Sequence, residues 1–325
     1  YSDEEVIHFG LIPRAHRCIF VLNELPDLQP RIQVSLFSIL EEKEIQIRGF
    51  KVRLPLDIQF IFTSNPEDYT NRGSIVTPLK DRIGSQILTH YPESVDIAKT
   101  ITSQESKLNS KTISKIHIPE IARDIIEQVS FEARESELVD KKSGVSARMS
   151  ITSLQNLVSS AERRMLINKE EITSIRMSDF NSVISSINGK VELVYEGEEE
   201  GAEQVSYNLI SDAVKTLFIK YFPKIEKLTK PDEISVYDSI LEWFTVNQVI
   251  LRDDLSNKDY ESILNKVKDA DSILNKFIPD IDKKDKLFFI EFLLWGLEGF
   301  NKLTIMRTNN GVEFKDPFNN FINKI

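Results

Sequence analysis

A single cysteine, Cys18, stands among 325 residues. A disulfide framework is therefore excluded, and a reducing, cytoplasmic setting is the default expectation. Cys18 lies in an apolar run and reads as a buried structural thiol. No apolar run approaches the roughly 20 residues that a membrane-spanning helix needs. The most apolar cluster, LFFIEFLLWGL at 287–297, is interrupted by Glu291 and Gly296 and reads as a buried helix. Positive charge is also in deficit: 41 basic residues face 51 acidic ones, a formal net charge of −10. That balance argues against general affinity for nucleic acid or an anionic membrane surface. The four histidines, His8, His16, His90 and His117, show no metal-ligand spacing, and His8 and His16 read as loop residues. Internal repeats are lacking too. So is a phosphate cradle of the form Gly-x-x-x-x-Gly-Lys-Ser/Thr. The one Gly-Lys pair, Gly189-Lys190, is followed by Val191 and has Ile184 where the first glycine would stand.

What is present divides by pattern. Residues 1–92 read as α/β. CIFVL (18–22) and IQFIFT (58–63) are short, nearly continuous apolar runs, which suit parallel strands buried on both faces. SQILTH (85–90) is a weaker third strand. Between the first two, residues 30–42 carry apolar side chains at Ile32, Leu36, Ile39 and Leu40, a helical period. Residues 44–54 alternate around Arg48-Gly49 and predict a β-hairpin. From 93 to 188 the pattern is helical, with segments at 118–135, 146–168 and 176–187. YEGEEEGAEQ (195–204) is acidic and poor in apolar residues, and reads as a solvated linker. Four more helices are expected, at 206–222, 231–251, 257–277 and 283–307, punctuated by Pro223, Pro231 and Pro279.

Four short features can carry chemistry. IFVL runs into Asn23-Glu24, a polar pair at the end of an apolar strand. An ATP hydrolase places two side chains there, one for the Mg²⁺ water shell and one for the attacking water. A plain buried strand also ends this way. FIFTSNPEDY (60–69) ends a second apolar run in Thr63-Ser64-Asn65. An asparagine there can hold water beside a γ-phosphate, and Asn-Pro can equally open a turn. In TPLKDRIG (77–84), Arg82 can reach a neighbouring subunit's nucleotide, or pair with Asp81 on the surface. In SGVSARMSI (143–151), Ser146 suits a helix N-cap and Arg148 falls in the first turn, where the helix dipole disfavours a cation unless an anion comes.

Taken in order, GLIPRAHRCIFVLNELPDL, RIQVSLFSILEEKEIQIRGFKVRLPLDIQFIFTSNPED, TPLKDRIG and GVSARMSI resemble the AAA+ ATPases, specifically the group of MoxR-like ATPases and the ATPase subunit of magnesium chelatase. The likeness covers roughly residues 6–188, with residues 10–92 carrying most of it. It implies a Walker B strand ending in Asn23-Glu24, with Glu24 as catalytic base. Asn23 would stand at the Mg²⁺-water position, where the family usually has Asp. It implies Asn65 as sensor 1, Arg82 as an arginine finger acting in trans, Arg148 as sensor 2, and the 44–54 hairpin as a family-marking insertion. ATP and Mg²⁺ are the implied cofactors. The implied assembly is a ring of copies of the chain, expected as a hexamer, with a von Willebrand A domain protein as partner and no nucleic acid or membrane.

The expected fold is α/β followed by all-α. Residues 1–95 would be the C-terminal part of an AAA+ parallel-sheet core, 96–190 its helical lid, 191–205 the acidic linker and 206–325 a helical C-terminal domain. The family's phosphate-cradle strand lies between the sensor 1 strand and the last strand, so a segment upstream of Tyr1 is expected to supply it. The expected function is ATP hydrolysis driving metal insertion or protein remodelling. A non-hydrolysing assembly module, recruiting partners through the helical tail, is the alternative. With Asn23 in place of an acid, Mg²⁺ dependence is expected to weaken and activity to survive.

Overall fold

The computed structural model describes residues 10–42, 44–47, 50–53, 55–65, 74–225, 235–308 and 310–317. His8 and the hairpin tip at 48–49 lie outside these residues. The chain divides into two compact units, Tyr1–His90 and Tyr91–Ile325, and each is described by itself.

The first unit opens with one helical turn, α1 (Leu11–Arg14), and then β1 (Ile19–Leu22). A 3-10 turn over Leu25–Asp27 leads to α2 (Pro30–Phe37), which starts on a proline whose fixed φ suits the first helical position. A wider π turn, Ser38–Glu42, extends α2. The antiparallel pair β2 (Glu44–Ile47) and β3 (Phe50–Arg53) forms the expected hairpin, Ile47 opposite Phe50. β4 (Gln59–Phe62) then lies parallel to β1, in register from Ile19 with Gln59 to Leu22 with Phe62. The short helix α3 (Thr77–Asp81) follows.

Burial of the β1–β4 sheet is one-sided. Phe20 and Phe60 meet edge to face at 5.8 Å on the covered side. On the other side Ile19, Val21 and Ile61 are 63%, 51% and 44% exposed. The expectation of strands buried on both faces is therefore not met among the described residues: one face is half-buried and the other exposed. Cys18 is exposed rather than buried, because it closes a turn (its N–H donates to Ala15 O at 2.9 Å) before the strand begins. Residues 85–90 form no strand, and Ile87 and Leu88 stand in the open. A strand requires a hydrogen-bonding neighbour, and no described strand lies beside this segment.

A small core of Leu25, Leu36 and Leu79 ties these elements together, ringed by Leu22, Phe37, Phe62 and Val76. Within it Gln33 is fully buried. Its Nε2 donates to Leu28 O (2.9 Å) and Ser74 O (3.1 Å), and its Oε1 accepts from Val76 N–H (2.9 Å). Every polar atom of this side chain is thereby matched, which is the condition for burying it cheaply. Gln33 thus pins the strand of chain that leads into α3.

The second unit runs α4 (Val95–Glu105), α5 (Ser110–Ile113), β5 (Ile116–His117), α6 (Glu120–Glu135), α7 (Arg148–Ile167), β6 (Thr173–Ser174), a 3-10 stretch Met177–Val183, α8 (Ile184–Asn188), α9 (Tyr195–Glu200) and α10 (Ala202–Tyr221). It continues with α11 (Asp238–Phe244), β7 (Val249–Arg252), α12 (Asn257–Leu264), α13 (Ala270–Phe277), α14 (Lys286–Gly299), β8 (Thr304–Thr308) and β9 (Gly311–Lys315). β5 and β6 pair in parallel over two residues. In α6 the buried Ile121, Ala122, Ile125, Ile126, Val129 and Ala133 recur at helical spacing. In α14 every residue from 288 to 297 is buried, as the apolar run predicts. One continuous apolar core extends from Ile116 to Phe314.

Two readings fail here. The acidic stretch at 195–204, expected as a solvated linker, is helical: it forms α9 and the start of α10, divided at Gly201 (φ 95). Gly197 packs so closely on the Leu138 carbonyl that a Cβ would lie 2.5 Å from it, which anchors α9 to the body of the unit. The C-terminal part is also not all-α. β7, β9 and β8 form a three-stranded antiparallel sheet in that order, with Val249 opposite Phe314 and Ile305 opposite the same residue.

Candidate functional site

Parallel strands β1 and β4 end side by side, and their C-terminal ends carry Asn23-Glu24 and Thr63-Ser64-Asn65. All five residues are exposed. This is the edge at which open α/β sheets present ligand-binding groups. Asn23, Glu24 and Asn65 thus lie on one edge.

Thr63 joins the two chain segments. Its backbone N–H donates to Leu22 O (3.0 Å), and its carbonyl accepts from Leu25 N–H (2.9 Å). Its hydroxyl accepts from Glu24 N–H (3.0 Å) and donates to Asn23 Oδ1 (3.3 Å). Glu24 is held in the left-handed region, φ 53 and ψ 55. A residue with a Cβ enters that region at a cost of roughly 1–2 kcal/mol. It persists there because the surroundings over-determine it. Nothing in the local pattern around residue 63 announces this role, since Thr is an ordinary strand residue. It becomes visible only when β4 is laid beside β1.

Arg82 caps the C-terminal end of α3. Its Nε donates to Glu41 Oε2 (2.6 Å) and its Nη1 to Pro78 O (2.8 Å), and the guanidinium lies 5.2 Å from the Phe37 ring. The partner is therefore Glu41, from the π turn after α2, and not the adjacent Asp81. Exposed pairs of this kind are worth about 0–1 kcal/mol, so the contact releases readily.

Arg148 begins α7 in the second unit and is exposed. Ser146 Oγ accepts its backbone N–H at 3.2 Å, while Ala147 occupies the cap position one residue later than expected. Arg148 belongs to a different unit from the β1–β4 edge. His16 serves structure: its Nδ1 accepts from Asp57 N–H (3.1 Å), tying the lead-in of β1 to that of β4.

A buried polar cluster in the second unit was not legible in the sequence. Glu291, on the apolar α14, is fully buried. It accepts from Tyr260 O–H (2.5 Å) and Met177 N–H (3.0 Å) through Oε2. Arg176 stacks on Tyr260 at 4.1 Å, and the buried Arg164–Asp179 ion pair is nearby in the same network. Burial pushes the Glu291 carboxyl up to about 7 and the Arg176 guanidinium down to about 10. The cluster holds α12 and α14 to the 3-10 stretch Met177–Val183.

Among the described residues no group of three or more His, Cys, Asp or Glu could hold a metal ion, and no helix is long and apolar enough to cross a membrane.

No curated protein matches this chain. Among solved structures, a candidate ATPase from Cytophaga hutchinsonii is similar at 18% identity, over 59% of this chain and 64% of its own, with a TM-score of 0.25. The chain thus spans somewhat less than two thirds of that protein, and the likeness is too loose to place any element. Residues 1–84 match the Sigma-54 interaction domain. That segment, which contains the whole β1–β4 edge, is similar to an AAA+ ATPase domain.

Proposed function

We propose that the chain hydrolyses ATP at the β1–β4 edge as part of an AAA+ ATPase of the MoxR and magnesium-chelatase group. One observation carries this reading: Asn23-Glu24 and Asn65 stand at the same end of two parallel strands in register. Glu24 supplies the carboxylate that orients and deprotonates the attacking water, and Asn65 holds that water against the γ-phosphate. Arg82, released from Glu41, offsets charge on the transferring phosphoryl group of a neighbouring copy in the ring. For Arg148, in the second unit, the family resemblance implies a role in contacting nucleotide phosphates.

The donor set fits a Mg²⁺ ion carried mainly by the nucleotide. Mg²⁺ usually keeps several waters and takes one or two carboxylates beside substrate phosphates. The edge has one carboxylate, Glu24, and Asn23 Oδ1 keeps a lone pair after accepting from Thr63, so both residues suit contact through metal-bound water. When bound, the ion would polarise the phosphoryl oxygens. The output is taken to be mechanical, either metal insertion or remodelling of a partner, with a hexameric ring and a von Willebrand A domain protein as partners.

A second reading is a ring module that assembles without hydrolysis. It is favoured by the neutral Asn23 and by the engagement of Arg82 with Glu41. Steady-state ATP hydrolysis by the natural protein, with and without Mg²⁺, separates the two. The Glu24→Gln variant should bind ATP normally and lose at least about 100-fold in turnover. Undiminished turnover in that variant removes Glu24 from the mechanism.

A further inference from the structure

The least expected feature of the edge is the number of bonds made by Thr63. Its backbone N–H, hydroxyl and carbonyl engage four successive residues of the neighbouring segment, Leu22, Asn23, Glu24 and Leu25. The first backbone bond follows on from the strand pair, the second reaches one residue further to Leu25, and neither uses the side chain. The two hydroxyl bonds would not. They fall on the two residues read as facing the nucleotide, and one of them holds the N–H of a strained residue.

The geometry points to the Thr63 hydroxyl as a positioning residue for hydrolysis, one that locks Glu24 in its left-handed conformation and orients Asn23. This rests on the reading of Glu24 as the base. The physical argument is one of competing conformations. A glutamate prefers right-handed or extended backbone, and the exposed Glu24, whose carbonyl also accepts from Asp27 N–H (3.0 Å), has no core packing to hold it in the left-handed region. The Oγ1 acceptor at 3.0 Å is therefore the side-chain contact that selects φ 53 over the alternatives. Without it the Glu24 backbone can relax toward negative φ and swing its carboxylate away from the water it serves. Asn23 loses its hydroxyl donor at the same time and can rotate freely. Thr63 itself touches neither water nor nucleotide in this scheme.

The test uses the natural full-length protein and its Thr63→Val and Thr63→Ser variants. Val matches the shape of Thr and keeps the β-strand preference, and Ser keeps the hydroxyl. Thr63→Val should lower kcat for ATP between about 10- and 100-fold, with KM within about twofold of the parent. Thr63→Ser should recover most of the loss. A fall in KM-determined affinity with kcat intact, or a Ser variant as slow as Val, overturns the assignment, because either outcome marks a packing role. Amide hydrogen exchange at Glu24 gives a readout independent of hydrolysis. Its N–H should be protected in the parent and in Thr63→Ser, and should exchange about tenfold or more faster in Thr63→Val. Equal exchange in all three overturns the inference even in an active enzyme. A parent protein that exchanges as expected but never hydrolyses ATP overturns the proposed function and, with it, the catalytic half of this assignment.

Discussion

At the residue scale, the account turns on Glu24. A side chain in left-handed backbone is uncommon, and here strain and chemistry fall on the same position. That coincidence can be separated by substitution. Glu24→Gly removes the carboxylate and also removes the cost of placing a Cβ at positive φ, about 1–2 kcal/mol. Extra freedom of the unfolded chain offsets about 0.4–1 kcal/mol of that. Net stability in chemical denaturation should therefore match the parent or exceed it by up to about 1.6 kcal/mol, while hydrolysis is lost. A strongly destabilised Glu24→Gly protein would show that the glutamate side chain, not the clamp, shapes the turn. Arg82 carries the opposite lesson. The sequence offered it a partner next door in Asp81, and the fold supplied Glu41 instead, brought across by the π turn.

At the element scale, local pattern was a good guide where local forces decide. The β-hairpin at 44–53, the two apolar strands and the amphipathic helices α6 and α7 all follow from periodicity and turn residues. The edge residues Asn23, Glu24 and Asn65 drew notice because one apolar run ends in Asn23-Glu24 and the other in Thr63-Ser64-Asn65. Thr63 could not, because its role exists only across the strand pair. The C-terminal sheet was missed for the same reason: β7 pairs with β9 across 65 residues, Val249 to Phe314, and a window of a dozen residues sees no such partner. The 195–204 stretch misled through composition, since acidic residues on an exposed helix face look like those of a linker. Close packing of the predicted apolar helix α14 yields its own test. A Cβ at Gly296 would lie 2.0 Å from the ring of Phe218, which is fully buried and meets Phe222, Phe292 and Phe300. Gly296→Ala should cost about 1–3 kcal/mol in denaturant unfolding, although Ala is the better helix former. A neutral result would mean that α14 and α10 are free to slide apart.

At the scale of the whole molecule, the two units differ in how they are held. Among the described residues the first is ordered around the cluster of Leu25, Leu36 and Leu79 with the buried Gln33, and the second around a core spanning Ile116 to Phe314. Inside that core sits an ionisable group, Glu291, facing Tyr260 and Arg176 with the Arg164–Asp179 pair beyond. Its folded pKa, about 7, lies above the ordinary value of 4.5, so between these pH values the folded protein holds a proton that the unfolded chain has lost. Stability must therefore fall as pH rises from 4.5 to about 7 and level off above, by an amount on the order of 3 kcal/mol for this group. Glu291→Gln keeps an acceptor for Tyr260 and Met177 and should flatten that part of the curve. Thermal or denaturant unfolding of both proteins across pH 4.5–7.5 reads the difference directly. Matching slopes would show that Glu291 does not titrate there.

The central claim is that Glu24, at the shared end of β1 and β4, drives ATP hydrolysis. The most direct measurement pairs nucleotide binding with single-turnover hydrolysis in the natural protein and its Glu24→Gln variant. The account predicts equal ATP affinity and at least about 100-fold slower cleavage in the variant. Cleavage at the parent rate, or binding lost together with cleavage, would contradict it.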